Sequence, residues 1–140
     1  MDNPYEARVS EQHFLNLPGF HAGAFVRAYV EDTSGRELPV GTYGSEEGLP
    51  RNFEPRIVLQ IADCSNQIYL EFEIDSPHQR MNSFHKIDTL ISALTKFRDG
   101  LADESAAYKR RQKIVDAAKA EKEAERTPDR RLSVRLRGVA

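Results

Sequence analysis

Asp63, Glu71 and Glu73 come nearest to a metal-dependent chemistry. Two carboxylates two residues apart on a strand, with a third ahead of them, could hold Mg²⁺ while a neighbouring lysine positions the attacking water of a nuclease-type hydrolysis. Glu73 stands where that lysine belongs, and no helix is expected ahead of this region to supply another ligand. Alternation along a half-buried strand accounts for Glu71 and Glu73 without a metal. His78 and His85 are seven residues apart, whereas helical metal pairs use spacings of about three or four; they read as surface histidines near a helix start. Cys64 is the single cysteine, and it falls in a turn with no identifiable His–Asp arrangement to make it a nucleophile. Gly41, Gly44 and Gly48 are accompanied by Glu46 and Glu47 and lack the Lys-Ser/Thr pair of a phosphate loop, so that stretch reads as a flexible connection. No catalytic residue, metal ligand or cofactor is expected, and the chain reads as non-enzymatic.

Recognition has more support than reaction. His21, Phe25, Arg27 and Tyr29, with Gly23 between them, occupy alternate positions of one candidate strand. Aromatic and basic side chains interleaved in this way resemble a stacking platform for single-stranded nucleic acid, with Arg27 near the backbone phosphates. Tyr69 joins that face if its strand lies in the same sheet, but Glu71 and Glu73 would share its side and oppose phosphate. The sequence favours a simpler alternative: a sheet buried on both faces, by a helix on one and by the N-terminal segment or a second subunit on the other. A second candidate is the basic patch Lys109, Arg110, Arg111 and Lys113, whose charge attracts phosphate in a salt-dependent way. Glu121, Glu123 and Glu125 follow it, and mixed signs along a helix ordinarily mean a solvated face. Arg130-Arg131-Leu132-Ser133 is similar to a basic-directed phosphorylation site, in a string too short to be specific.

These residues depend on the elements that carry them. Phe20, Ala22, Ala24, Val26, Ala28 and Val30 fall on one face, and a period of two predicts a strand over residues 20–30. Asp32, Ser34 and Gly35 are turn residues. Leu38 and Val40 predict a second, shorter strand, which Pro39 confines to an edge. Residues 56–62 and 68–74 alternate around a turn at 63–66 and form the clearest hairpin. A helix then starts with Ser76 as N-cap, Pro77 in its first turn and Gln79 completing a capping-box pattern. Ile87, Leu90, Ile91, Leu94, Phe97 and Leu101 make an apolar stripe. Asp99-Gly100 is a possible stop, yet Ile87, Leu94, Leu101, Tyr108 and Val115 keep a spacing of seven straight through it. A glycine inside a helix costs only about 1 kcal/mol, so both endings stay open. The partner row Leu90, Phe97, Glu104, Arg111 and Ala118 turns polar after Phe97, which argues for a helix that docks on a partner rather than a self-contained coiled coil.

Composition points the same way. Of the 140 residues, the first hundred carry nine basic and 15 acidic side chains, and the last forty carry 11 and seven. Eleven of the 12 Phe and Tyr residues precede residue 101, so the core must come from there. No run approaches the roughly 18–20 apolar residues of a membrane span. The start, Met-Asp-Asn-Pro-Tyr-Glu, has neither the basic residues nor the apolar run of a secretory signal. With one cysteine, no internal disulfide is available, which favours the cytoplasm. The expected organisation is an N-terminal arm (1–17), a domain (18–101), a helical extension (102–126) and a basic, disordered tail (127–140). The expected fold class is α+β: a four-stranded antiparallel meander with the long C-terminal helix packed on it.

The order strand–strand, strand–strand, helix over residues 20–100 resembles Whirly-type and transcriptional-coactivator-type single-stranded DNA-binding proteins, although no family motif accompanies it. That resemblance implies a helix that mediates dimerisation. Separately, His85-Lys86-Ile87-Asp88-Thr89-Leu90-Ile91-Ser92-Ala93-Leu94-Thr95-Lys96-Phe97-Arg98 looks like a helix of small actinobacteriophage proteins. This second resemblance implies a phage-encoded accessory protein acting in the host cytoplasm. The expected function is therefore a non-enzymatic factor that forms a homodimer and binds a host protein, with no membrane role. The alternative is a single-stranded nucleic-acid binder.

Overall fold

The computed structural model describes residues 6–42 and 44–127. The basic tail beyond Thr127, including the serine of the phosphorylation-like string, lies outside the described residues. The chain divides into two compact units, Met1–Ile87 and Asp88–Ala140.

The first unit is built on four antiparallel strands, β1 (Ala7–Phe14), β2 (Phe25–Glu31), β3 (Ile57–Asp63) and β4 (Asn66–Leu70), in the order β1-β2-β3-β4. Helix α1 (Pro77–Arg126) begins in this unit and ends in the second. The α+β meander followed by a long helix is as expected, but the strands differ in detail: β2 starts only at Phe25, and β4 ends at Leu70, so Glu71 and Glu73 lie beyond it. The first strand is β1, within the segment expected to be an arm. Its Arg8, Ser10 and Gln12 alternate with Val9, Glu11 and His13, so neither face is apolar and every residue is exposed. An edge strand of this kind has no period-two hydrophobic signal to read. Conversely, residues 38–40 do not form a strand; Val40 makes only an isolated bridge to Pro50. The 41–51 loop is nevertheless tied together by Gly41 N–H to Leu49 O (3.0 Å), Gly48 N–H to Gly41 O (2.9 Å) and Arg51 N–H to Pro39 O (2.8 Å).

Register assigns the faces, because directly opposed residues share a side. One face carries Val26, Ile61 and Ile68 in one row, Ala28, Leu59 and Leu70 in the next, and Val9, Val30 and Ile57 in a third. The opposite face carries Gln12, Arg27, Gln60 and Tyr69 in a row, flanked by Ser10, Tyr29 and Val58 and by Phe14, Phe25 and Ala62. The β3–β4 loop is only two residues long, Cys64 and Ser65. Cys64 takes φ +54° there, a left-handed conformation usually given to glycine.

Ser76 caps α1 as expected: the Gln79 N–H donates to its Oγ at 3.2 Å, and its hydroxyl donates to Gln79 Oε1 at 3.1 Å. The first turns of the helix hold the segment after β4. Arg80 donates to Ile74 O (2.8 Å), Ser83 Oγ to Glu73 O (2.8 Å) and Lys86 Nζ to Glu71 O (2.6 Å). These bonds dock the start of α1 on the post-β4 segment. Within this unit Phe84 and Ile87 line an apolar groove of about 580 Å³ with Val9, Ala28, Val30, Ile57, Leu59 and Phe72. Among the described residues only Ala24 and Ala62 are buried apolar side chains, at 4% and 1% exposure.

The second unit contains the helix from Asp88 to Arg126. It passes through Gly100 without a break, the outcome that the spacing of seven favoured over a glycine stop. A Cβ at Gly100 would meet nothing within 4 Å, so no packing requirement explains the glycine.

Candidate functional site

Two surfaces follow from this framework. On the sheet face opposite the groove, Arg27, Gln60 and Tyr69 are opposed across β2, β3 and β4. Tyr29 lies two residues along from Arg27, a step of roughly 6.8 Å, and Phe25 the same distance in the other direction. Four of the five expected platform residues, Phe25, Arg27, Tyr29 and Tyr69, are therefore on one side of one sheet. Arg27 and Tyr69 are exposed, and Phe25 and Tyr29 are half-buried.

His21 is not part of that platform. Strand β2 begins only at Phe25, and the residues before it are held in a loop by Asn16 Nδ2 donating to His21 O at 2.7 Å. The Gly23 N–H donates to His21 Nδ1 at 2.9 Å. That nitrogen also lies 3.7 Å from Cys64 Sγ, and Cys64 N–H donates to Gly23 O at 3.1 Å. Gly23 is needed for this close approach, since a Cβ there would lie 2.4 Å from His21 Cε1 and 3.3 Å from Cys64 Cα. Sequence reading found no histidine beside Cys64, because the two residues are 43 positions apart and no local period joins them. The 3.7 Å contact pairs a thiol with an imidazole.

Arg56 is the residue of this face that sequence reading missed. It precedes β3 and places its guanidinium 5.3 Å from the centre of the Tyr29 ring, a cation–π contact. With Ser10, Gln12, Arg27 and Val58 these residues line a shallow concavity of about 290 Å³. Glu31, at the end of β2, is 9% exposed. Its carboxylate accepts from the Arg56 backbone N–H and from Arg36 Nη2, each at 2.7 Å. The first of these bonds, then the second, holds its carboxyl below the ordinary value of 4.5. Asp32 is held below its ordinary 3.8 by the Ser34 hydroxyl and N–H, with Arg8 at 2.9 Å adding to the effect. The acids of this edge are thus matched by local donors.

Asp63, Glu71 and Glu73 do not converge. Among the described residues no three His, Cys, Asp or Glu side chains are grouped so as to hold a metal ion. Glu73 instead accepts from Gln79 Nε2.

The second surface is the helix from Asp88 onward. Ile91, Leu94, Phe97, Leu101, Tyr108 and Val115 are 56%, 54%, 68%, 60%, 62% and 44% exposed. Ile87, the first residue of the expected stripe, belongs to the sheet unit and lines its groove. The basic patch divides by helical position. Arg111 donates to Glu104 Oε1 at 2.7 Å and lies 5.9 Å from the Tyr108 ring. Lys109 and Lys113, four residues apart, share another face, and Arg110 is exposed with them.

No family model, curated protein or solved structure matches the chain. No helix among the described residues is long and apolar enough to cross a membrane.

Proposed function

We propose that the protein is a non-enzymatic interaction module that self-associates through α1 and uses its sheet unit to bind another protein. One observation carries this reading: a continuous helix displays a row of large apolar side chains, each about half to two-thirds exposed. A lone helix of this kind is poorly stabilised, since helices in proteins draw most of their stability from packing an apolar face. A second copy supplies that packing. The open groove beside Phe84 and Ile87 then remains for a protein partner with apolar anchors, because contiguous apolar surface marks interaction sites. The likeness of residues 85–98 to actinobacteriophage proteins supports a phage accessory role, with the partner supplied by the host cytoplasm.

Sedimentation equilibrium of the full chain tests the reading. Twice the chain mass at micromolar concentration is expected, and a monomer would overturn it.

Single-stranded nucleic-acid binding is the second reading, favoured by Arg27, Tyr29 and Tyr69 sharing one sheet face beside Arg56. Stacking on such aromatics contributes about 1–3 kcal/mol per base. Labelled single strands measured across a salt series distinguish the two. Affinity that falls steeply with salt and weakens on Arg27→Ala supports nucleic-acid binding; no retention at low salt removes it.

A further inference from the structure

We propose that two copies of the chain pair antiparallel through the stripe of the second unit, crossing near Ala106. This rests on the self-association reading and adds its orientation. The stripe has two rows, Leu94, Leu101, Tyr108 and Val115 in one and Leu90, Phe97, Glu104, Arg111 and Ala118 in the other. Its five exposed large apolar side chains offer roughly 100 Å² apiece, over half of the ~800 Å² that each partner contributes to a standard interface.

Charge selects the direction. Parallel, in-register helices set every residue beside its own copy. Glu104 would face Glu104 and Arg111 would face Arg111 at seam positions. Like charges held that close repel, most of all where apolar neighbours exclude water. Antiparallel helices instead set one row against the other. Glu104 then lies beside the partner's Arg111 instead of beside its own copy, so opposite charges meet at the seam.

The seam also selects the register. With the crossing at Ala106, Phe97 meets the partner's Val115 and Leu94 meets the partner's Ala118. Leu101 packs on the aliphatic stem of the partner's Arg111, and Tyr108 presents its hydroxyl to the partner's Glu104. Glu104, already bonded to Arg111 of its own chain at 2.7 Å, lies about 4.5 Å along the axis from the partner's Arg111. Shifting the crossing by half a heptad toward the C-terminus sets Val115 on the partner's Glu104. The opposite shift carries the partner's Arg111 to the level of Leu94, about 15 Å along the axis from Glu104.

Spin-label distances on the full chain decide the matter. Cys64→Ser removes the native thiol, and Thr95→Cys and Asp116→Cys place labels at exposed positions off the stripe. The antiparallel dimer puts the two Thr95→Cys labels about 33 Å apart along the axis. In an equimolar mixture of the two variants, a label on one chain and the opposite label on its partner lie within about 20 Å, since packed helices are about 8–10 Å apart. The reverse pattern, short between like positions and long between unlike ones, overturns the orientation while leaving self-association standing. A monomer of retained helicity overturns both.

Discussion

The sheet unit and the helical unit handle the same difficulty differently. In the sheet unit, polar groups are matched within the chain: Glu31 takes two donors, Gln60 donates to Gln67 at 2.8 Å, and Ser83 binds the Glu73 carbonyl. Apolar residues line a groove within the unit. In the helical unit the backbone hydrogen bonds run within the helix, and among the described residues its large apolar side chains are about half to two-thirds exposed. A strand network can satisfy itself within one chain. A single helix cannot bury its own stripe, and the proposed self-association therefore falls to the second unit.

Breaking the helix gives the largest expected effect. Gly100→Pro costs about 3 kcal/mol in a helix interior; circular dichroism at 222 nm should fall and the dimer should be lost, while the sheet unit keeps its fold. Phe97→Asp follows. Burying a Phe is worth about 1.5–3 kcal/mol, so sedimentation should show self-association weakened at least ~tenfold. Ser76→Ala removes the cap at the join of sheet segment and helix and should cost about 1 kcal/mol in denaturant unfolding. Gly100→Ala has the opposite sign: with open space around the new Cβ, it should stabilise the helix by up to about 1 kcal/mol and leave the oligomeric state unchanged.

The smallest effect is confined to the sheet unit and separates the two regions by pH. The Glu31 carboxyl is held below its ordinary 4.5 by the Arg56 N–H and the Arg36 guanidinium. A depressed carboxylate contributes stability that is fully present above its unfolded-state value and is lost as pH falls through the folded-state value. Unfolding followed from pH 6 downward should therefore steepen below about 4.5, and Glu31→Gln should flatten that slope. A variant with an unchanged acid slope would show that this carboxylate does not anchor the edge.

The sequence made some of this plan legible for local reasons. The β3–β4 hairpin and the start of α1 are written in alternation and capping chemistry, which neighbours decide among themselves. Strand β1 was not, because Arg8, Ser10 and Gln12 on one side and Glu11 and His13 on the other give no apolar period. His21 was assigned to a strand by alternation that the Gly23–His21 hydrogen bond overrides. Arg56 reached Tyr29 through a register that only the folded sheet defines. In the candidate sites, Phe25, Arg27, Tyr29 and Tyr69 came together because period two was read correctly on two separate strands. Continuity through Gly100 was an even contest in sequence, decided by a seven-residue spacing against a penalty of only about 1 kcal/mol.

Sedimentation equilibrium of the full chain, measured beside Phe97→Asp at the same micromolar concentration, tests the central claim most directly. The account predicts twice the chain mass for the native protein and a shift toward the single-chain mass for the variant. A native protein that sediments as one chain while α1 remains fully helical would contradict it.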